Sequence, residues 1–343
     1  MESIEHRPAR LAGIAIAAFL LAGPAAAQTI ELKAGDFQST QHVLSKEGIV
    51  HWMRLVESKT GGKVKFTHFP SEQAAKARGL PDAVKSGALD VAMIGPLYNT
   101  DRLPLNSVTG LAGTYGSSAG GSPVLHDMTR KGPLADELAA EGAIAVFSVV
   151  LPPYQLLLKS KEARTVRDLA GLKIRTGGTT QALTARALGA SGINLPGPEV
   201  YTALERGTVD GVIFPLSSVP GYNLQEVSKY ISTNASFGGF GITVIMNKQV
   251  FEKLPADVRA AVLAAGDETM RHLAKAQDDS IEVLLKQWKE KGIVLFQYAP
   301  DQLAAISKAM ASVNEEWSTR VGKQNPKAPA VLEEYLRRMA AAK

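Results

Sequence analysis

An arginine placed where a strand ends and a helix begins is suited to gripping a carboxylate, and this 343-residue chain carries one at Arg175. The surrounding stretch, residues 165–178, reads TVRDLAGLKIRTGG. Thr165 and Asp168 have the spacing of a capping box, and Gly171 is placed to end the short helix they open. Leu172-Lys173-Ile174-Arg175 alternates apolar and charged residues as a half-buried strand does, and Gly177-Gly178 break it before a second helix near Thr179 or Thr180. Arg175 then lies at the carboxyl end of a strand, where ligands of open α/β sheets collect and where the next helix favours an anion. Its guanidinium fork can hold a carboxylate through two bonds. Position alone equally allows a structurally paired or solvated arginine.

Other chemistries leave weaker marks. There is no cysteine, so disulfides and thiolate metal sites are excluded. The chain has no HExxH and no Gly-rich phosphate loop. Gly116-Ser117-Ser118-Ala119-Gly120 matches G-x-S-x-G in form, but that motif needs a strand before it and a helix directly after it, and neither is evident. His126 is nearby without an acidic partner that sequence can assign. Paired carboxylates assembled in space leave no motif, so an exported hydrolase of that kind stays as an alternative.

Composition is that of a globular protein, 45% hydrophobic and 21% charged, with a net charge of +5. The length suits about two domains. Acids and bases are mixed, and no basic run marks a nucleic-acid partner. Arg7 and Arg10 precede an apolar run from Leu11 to Ala22, and Ala25-Ala26-Ala27 offers small residues for cleavage before Gln28. Residues 1–27 therefore read as a secretory signal peptide whose apolar run, about a dozen residues, is too short to span a bilayer, and the mature protein is expected to be exported and soluble.

Along the mature chain, strands are expected near residues 30–34 and 64–68, with a helix over 41–60 between them. Residues 106–123, rich in glycine and serine, read as a mobile surface loop. Residues 82–95 and 202–215 match at an offset of 120: alanine, glycine and aspartate recur as Ala83 and Ala203, Gly87 and Gly207, Asp90 and Asp210. Two α/β lobes of related build would explain this. The loop at 95–98, with Tyr98, would then face the loop at 214–217 across a cleft, a preferred place for small ligands. An apolar stripe through Val258, Val262, Ala265, Leu273 and Trp288 predicts one helix over about 256–291, more than about 50 Å long. A strand at 293–298 and helices at 301–321 and 330–342 complete the reading.

DLAGLKIR (residues 168–175) and LPGPEVYTALERGTVDG (residues 195–211) closely resemble the DctP-type solute-binding proteins of tripartite ATP-independent periplasmic (TRAP) transporters, over essentially the whole mature chain. The resemblance implies a two-lobed periplasmic-binding-protein fold with a ligand cleft between the lobes and a long lobe-spanning helix. Residues 28–151 with about 240–255 would form lobe I, and 152–239 with the C-terminal helices lobe II. Arg175 would clamp the carboxylate of an organic acid. The cleft region of relatives corresponds here to Gln73 and Arg78. Gln155, which with Gln73 or Arg78 would bond polar groups of the ligand, stands where relatives of the sialic-acid or dicarboxylate type carry a further arginine, which argues against a second ligand carboxylate. Phe214 replaces the asparagine of a D-G-x-E-N-P pattern, so an apolar or ring-shaped ligand body is expected if Phe214 faces the cleft. The implied protein is a monomeric periplasmic transport component without cofactor or metal, delivering its ligand to small and large membrane subunits. A ligand sensor for a membrane receptor is the remaining alternative.

Overall fold

The computed structural model describes residues 29–342, so the signal peptide and its cleavage site lie outside the described residues. In chain order the elements are β1 (Ile30–Gly35), α1 (Val50–Lys59), β2 (Val64–Phe69), α2 (Leu80–Lys85), β3 (Val91–Ile94), α3 (Ser118–Arg130), α4 (Pro133–Ala140) and β4 (Ala143–Val150). Then follow β5 (Gln155–Leu158), α5 (Val166–Leu169), β6 (Lys173–Thr176), α6 (Thr179–Ala187), β7 (Ser191–Asn194), α7 (Val200–Glu205), β8 (Gly211–Phe214) and β9 (Tyr230–Ser232). The chain ends with β10 (Gly241–Asn247), α8 (Lys248–Lys253), α9 (Ala256–Glu290), β11 (Val294–Phe296), α10 (Pro300–Ala309), α11 (Val313–Gly322) and α12 (Ala328–Ala341). Among the described residues no helix is long and apolar enough to cross a membrane.

Two sheets form two lobes. The first has the order β2-β1-β3-β10-β4, the second β11-β9-β5-β8-β6-β7. In each, a parallel trio meets one antiparallel strand: β2-β1-β3 meets β10, which lies between β3 and β4, and β7-β6-β8 meets β5, which lies between β8 and β9. The repeat at an offset of 120 has a physical basis. Asp90 accepts the N–H of Lys33 at 2.7 Å, and Asp210 accepts that of Lys173 at 2.8 Å. Each aspartate thus ties the start of its strand to the parallel neighbour. Gly87 and Gly207 precede them at φ of 77° and 73°, a left-handed turn that glycine adopts without strain.

The chain passes between lobes at residues 151–154 and 233–240, and the two crossings bond to each other. Leu151 N–H donates to the Phe240 carbonyl at 2.9 Å, and Tyr154 exchanges bonds with Gly238 and Phe237 at 3.0 Å. The third link is α9, whose 35 residues span about 52 Å. Val262, Ala265 and Leu273 bury on the first lobe, and Trp288 belongs to the core of the second with Leu204 and Val209. Midway, the buried Gln277 donates to the Ser118 hydroxyl at 3.1 Å and accepts from Ser217 at 3.4 Å.

Three expectations need correction. Residues 105–110 form a buried 3-10 turn and α3 already begins at Ser118, so residues 106–123 are no surface loop. The carboxylate of Glu137 accepts the N–H groups of Leu105 and Asn106 at 2.8 and 3.0 Å, which lets polar backbone bury. The C-terminal helices do not all join the second lobe: α12 buries Val331, Tyr335 and Met339 against Leu125 and Met128 of α3. Between residues 301 and 321 two helices replace the single one expected.

Gln277→Leu should lower stability by about 1–3 kcal/mol, because the Ser217 hydroxyl loses its buried partner. Urea denaturation measures this, and an unchanged midpoint would rule out Gln277 as a tie between the lobes.

Candidate ligand-binding site

Arg175 stands on β6 with 1% exposure, so its charge is almost wholly out of water. The Leu195 carbonyl accepts from both its Nε and Nη2, at 2.8 and 2.6 Å, and the Ile213 carbonyl from Nη1 at 3.4 Å. Its guanidinium carbon lies 5.2 Å from the centre of the Phe214 ring, a cation–π distance. Of the five N–H groups that a guanidinium offers, these bonds leave one on each terminal nitrogen. An N–H on each terminal nitrogen is the donor set with which a guanidinium can hold a carboxylate. At the neighbouring amino end of α6, Gly177 N–H already donates to Gln181 Oε1 at 2.6 Å, so part of the anion-binding capacity expected of that helix is used internally.

Beside the arginine, rings from both lobes enclose a cavity of about 10 Å³, roughly the space one water needs. Phe37, Tyr98, Tyr154, Phe214, Tyr222 and Phe240 line it. Tyr98 packs against Phe37 and Phe240 at 5.8 and 5.0 Å, Tyr222 meets Phe214 edge-on at 5.6 Å, and Tyr154 stacks on Phe240. Burial holds the Tyr154 and Tyr222 phenols neutral, far above their usual range, while the Arg175 charge acts on both in the opposite sense. The two hydroxyls thus stay neutral donors within the field of the guanidinium. Wider grooves lie elsewhere, including one of about 230 Å³ beside Trp317 and Arg320, but they lack this convergence. A ring acid needs far more than 10 Å³, so entry requires the lobes to part.

The structure brings together Arg175, Phe214 and Tyr98. Tyr98 also joins the lobes, its hydroxyl accepting from Gly197 N–H at 3.0 Å. Gln155 is buried but turned to its own lobe: Oε1 accepts from Ser232 and from Ala235 N–H at 3.0 and 3.1 Å, and Nε2 donates to the Ala235 carbonyl. Gln73 is exposed, and Arg78 donates to the Tyr98 carbonyl at 2.8 Å, which braces the loop behind the cavity. The Ser118 hydroxyl donates to the Val150 carbonyl at 2.6 Å inside the core, and His126 bonds to Asp267 at 2.9 Å, so the two do not form a nucleophile and base.

Sequence reading missed Phe37, Gln38, Tyr154, Tyr222 and Phe240, which sit singly in turns and crossings without periodicity. It also missed two titratable groups near the cavity. Burial raises the Asp36 carboxyl to about 7, opposed by the Ser45 hydroxyl and the Gln38 N–H. Burial lowers His42 to about 3, and its ring meets Tyr222 at 4.9 Å.

Two lobes of one α/β plan, joined by paired crossings, with a ring-lined cavity between them and a buried arginine behind its Phe214 wall, define a solute-binding protein of the periplasmic type. The chain belongs to the DctP family, bacterial extracellular solute-binding protein family 7, whose model matches residues 35–320. A solute-binding protein of Albidiferax ferrireducens is 26% identical over 261 residues, 74% of this chain and 73% of that protein. A TRAP solute-binding protein of Rhodoferax ferrireducens, solved with copurified benzoate, superposes with a TM-score of 0.85 at 22% identity, covering 92% of this chain and 98% of its own. The sugar acid binding protein DctPAm of Advenella mimigardefordensis, solved with galactonate, has a TM-score of 0.81 at 21% identity. It covers 92% of this chain and 99% of its own. Such likeness shows the shared fold, and the family's members are solute-binding components of transport systems rather than enzymes.

Two expected outcomes follow from this geometry. A Cβ at Gly178 would stand 2.4 Å from the Leu97 carbonyl oxygen of the facing lobe. Gly178→Ala should therefore hold the lobes ajar, enlarging the radius of gyration in small-angle scattering and weakening ligand binding about tenfold. An unchanged scattering curve would show that the lobes do not need this close approach.

The second concerns pH. Asp36, raised in the folded state, makes stability fall as pH rises from about 4 to about 7, because there the folded chain binds more protons. His42, lowered when folded, makes stability rise from about 3 to about 6.5, and His68, also lowered by burial, acts in the same sense. Asp36→Asn removes the opposing slope. Its unfolding free energy should climb between pH 4.5 and 6.5 with a slope of up to about 1.4 kcal/mol per pH unit from His42; a flat profile would contradict the assignment.

Proposed function

We propose that this chain is the periplasmic binding component of a TRAP transporter for an organic acid anion, a monocarboxylate with an aromatic or branched apolar body. On this reading residues 1–27 are the export signal, cut after Ala27. The mature monomer captures the acid between its lobes and delivers it to the small and large membrane subunits. The observation that carries the proposal is Arg175, buried on the Phe214 ring with one N–H on each terminal nitrogen outside its carbonyl bonds. A carboxylate would complete the fork and neutralise the charge, and the surrounding rings would take the apolar body. Benzoate in the Rhodoferax neighbour supports this choice of body. Galactonate in the Advenella neighbour shows that the fold also serves polar acids, so the case for an apolar body rests on Phe214 and its neighbouring rings.

The test is calorimetric titration of refolded, ligand-free mature protein with aromatic and branched monocarboxylates, sugar acids and dicarboxylates. An aromatic or branched monocarboxylate should bind most tightly. Arg175→Gln should weaken it about a hundredfold or more, since losing one partner of a buried ion pair costs about 3–5 kcal/mol. Selective binding of sugar acids or dicarboxylates would overturn the apolar body while leaving the transport role.

A further inference from the structure

Two side chains on the cavity wall each carry a polar oxygen without a partner, although the Gln38 side chain also bonds the Tyr222 hydroxyl. Gln38 follows β1 in the first lobe and Ser218 follows β8 in the second; both line the cavity, and each is 2% exposed. Gln38 Oε1 and Ser218 Oγ have no hydrogen-bond partner. Their backbones are fixed. Gln38 N–H donates to Asp36 Oδ1 at 2.8 Å and its carbonyl accepts from Ser71, also at 2.8 Å, while Ser218 N–H donates to the Pro215 carbonyl at 3.1 Å. Neither residue can turn to water without the lobes separating.

Buried polar atoms left without partners cost about 1–3 kcal/mol each, so two on one small cavity point to a group that arrives there. Gln38 Oε1 can only accept, whereas the Ser218 hydroxyl can donate or accept. A ligand carbonyl would satisfy Ser218 and leave Gln38 orphaned. An ammonium would satisfy Gln38, but it would bring a second positive charge into a ring-lined space near Arg175, which is costly without a counter-charge. A hydroxyl serves both, donating to Gln38 and accepting from Ser218.

We infer that Gln38 and Ser218 form a subsite that reads a hydroxyl of the ligand, so that the acid bound here is a hydroxylated aromatic or apolar monocarboxylate rather than its unsubstituted parent. This rests on the reading that Arg175 holds the carboxylate, and adds to it a second point of recognition contributed jointly by the two lobes. A site that hydrogen-bonds a hydroxyl discriminates strongly against the analogue lacking it, because its own polar groups are then left unpaired.

The experiment is titration of the refolded mature protein with matched acids: benzoate against 2-, 3- and 4-hydroxybenzoate, and phenylacetate against mandelate. At least one hydroxylated acid should bind about tenfold or more tightly than its parent. That advantage should fall to within about threefold in Gln38→Leu and in Ser218→Ala, while affinity for the parent changes by less than about threefold. Because Ser218→Ala removes a single atom, it supplies the reading if Gln38→Leu fails to fold. Parent and hydroxylated acids binding alike would overturn the proposal, a water then serving the two residues, and so would an advantage that survives the substitutions. Both outcomes leave the Arg175 reading standing. Failure of every acid to bind, parents included, would instead remove the carboxylate reading and this subsite with it.

Discussion

A guanidinium withdrawn from water has to be compensated by what surrounds it, and among the described residues no carboxylate pairs with Arg175. Its partners are two backbone carbonyls and the face of a ring. Those partners fix much of the second lobe. The Leu195 carbonyl follows β7 and the Ile213 carbonyl belongs to β8, so the strands flanking β6 must both end at the height of the guanidinium. Phe214, one residue beyond Ile213, supplies the ring. Partial charges of this kind hold the cation in place without cancelling its formal charge, and the preference for an anion follows from that remainder.

Among the described residues the first lobe lines this corner with no cation, but it supplies much of the enclosure. Phe37 follows β1 and Tyr98 follows β3, the positions matched in the second lobe by the residues after β6 and β8. Tyr154 and Phe240 lie on the two crossings and stack with their planes 3° apart. Cavity wall and hinge are therefore partly the same residues. A rotation of one lobe against the other repacks those rings and opens the space around Arg175 in one movement.

The residues that sequence reading located have local signatures. Arg175 was placed by the alternation of Leu172 to Arg175 and the glycines after it, and the lobe repeat by Gly87, Asp90, Gly207 and Asp210, each held by a turn or strand tie. Tyr154, Tyr222, Phe240 and Gln38 have none, because their roles come from elements distant in the chain. Gln155 illustrates the limit of analogy: its place in the strand was foreseen, yet the amide is consumed by Ser232 and Ala235 of its own lobe. The glycine and serine content of residues 106–123 suggested solvent, and Glu137 made burial possible instead.

The position of β10 bears on how the chain acquires this structure. It lies in the middle of the first sheet, between β3 and β4, although it follows the whole of the second lobe in sequence. Until residue 247 is available, that sheet consists of β2-β1-β3 and an isolated β4, with two open edges facing a gap. The first lobe then cannot reach its final form as an independent unit while the chain is being made. Closing the gap joins segments as distant as Ile94 and Thr243. Non-local pairing of that kind slows folding, because loop-closure entropy is lost before the contacts form. The first sheet is therefore completed only when nearly three-quarters of the chain is available, so its final strand order depends on a segment that follows the whole second lobe.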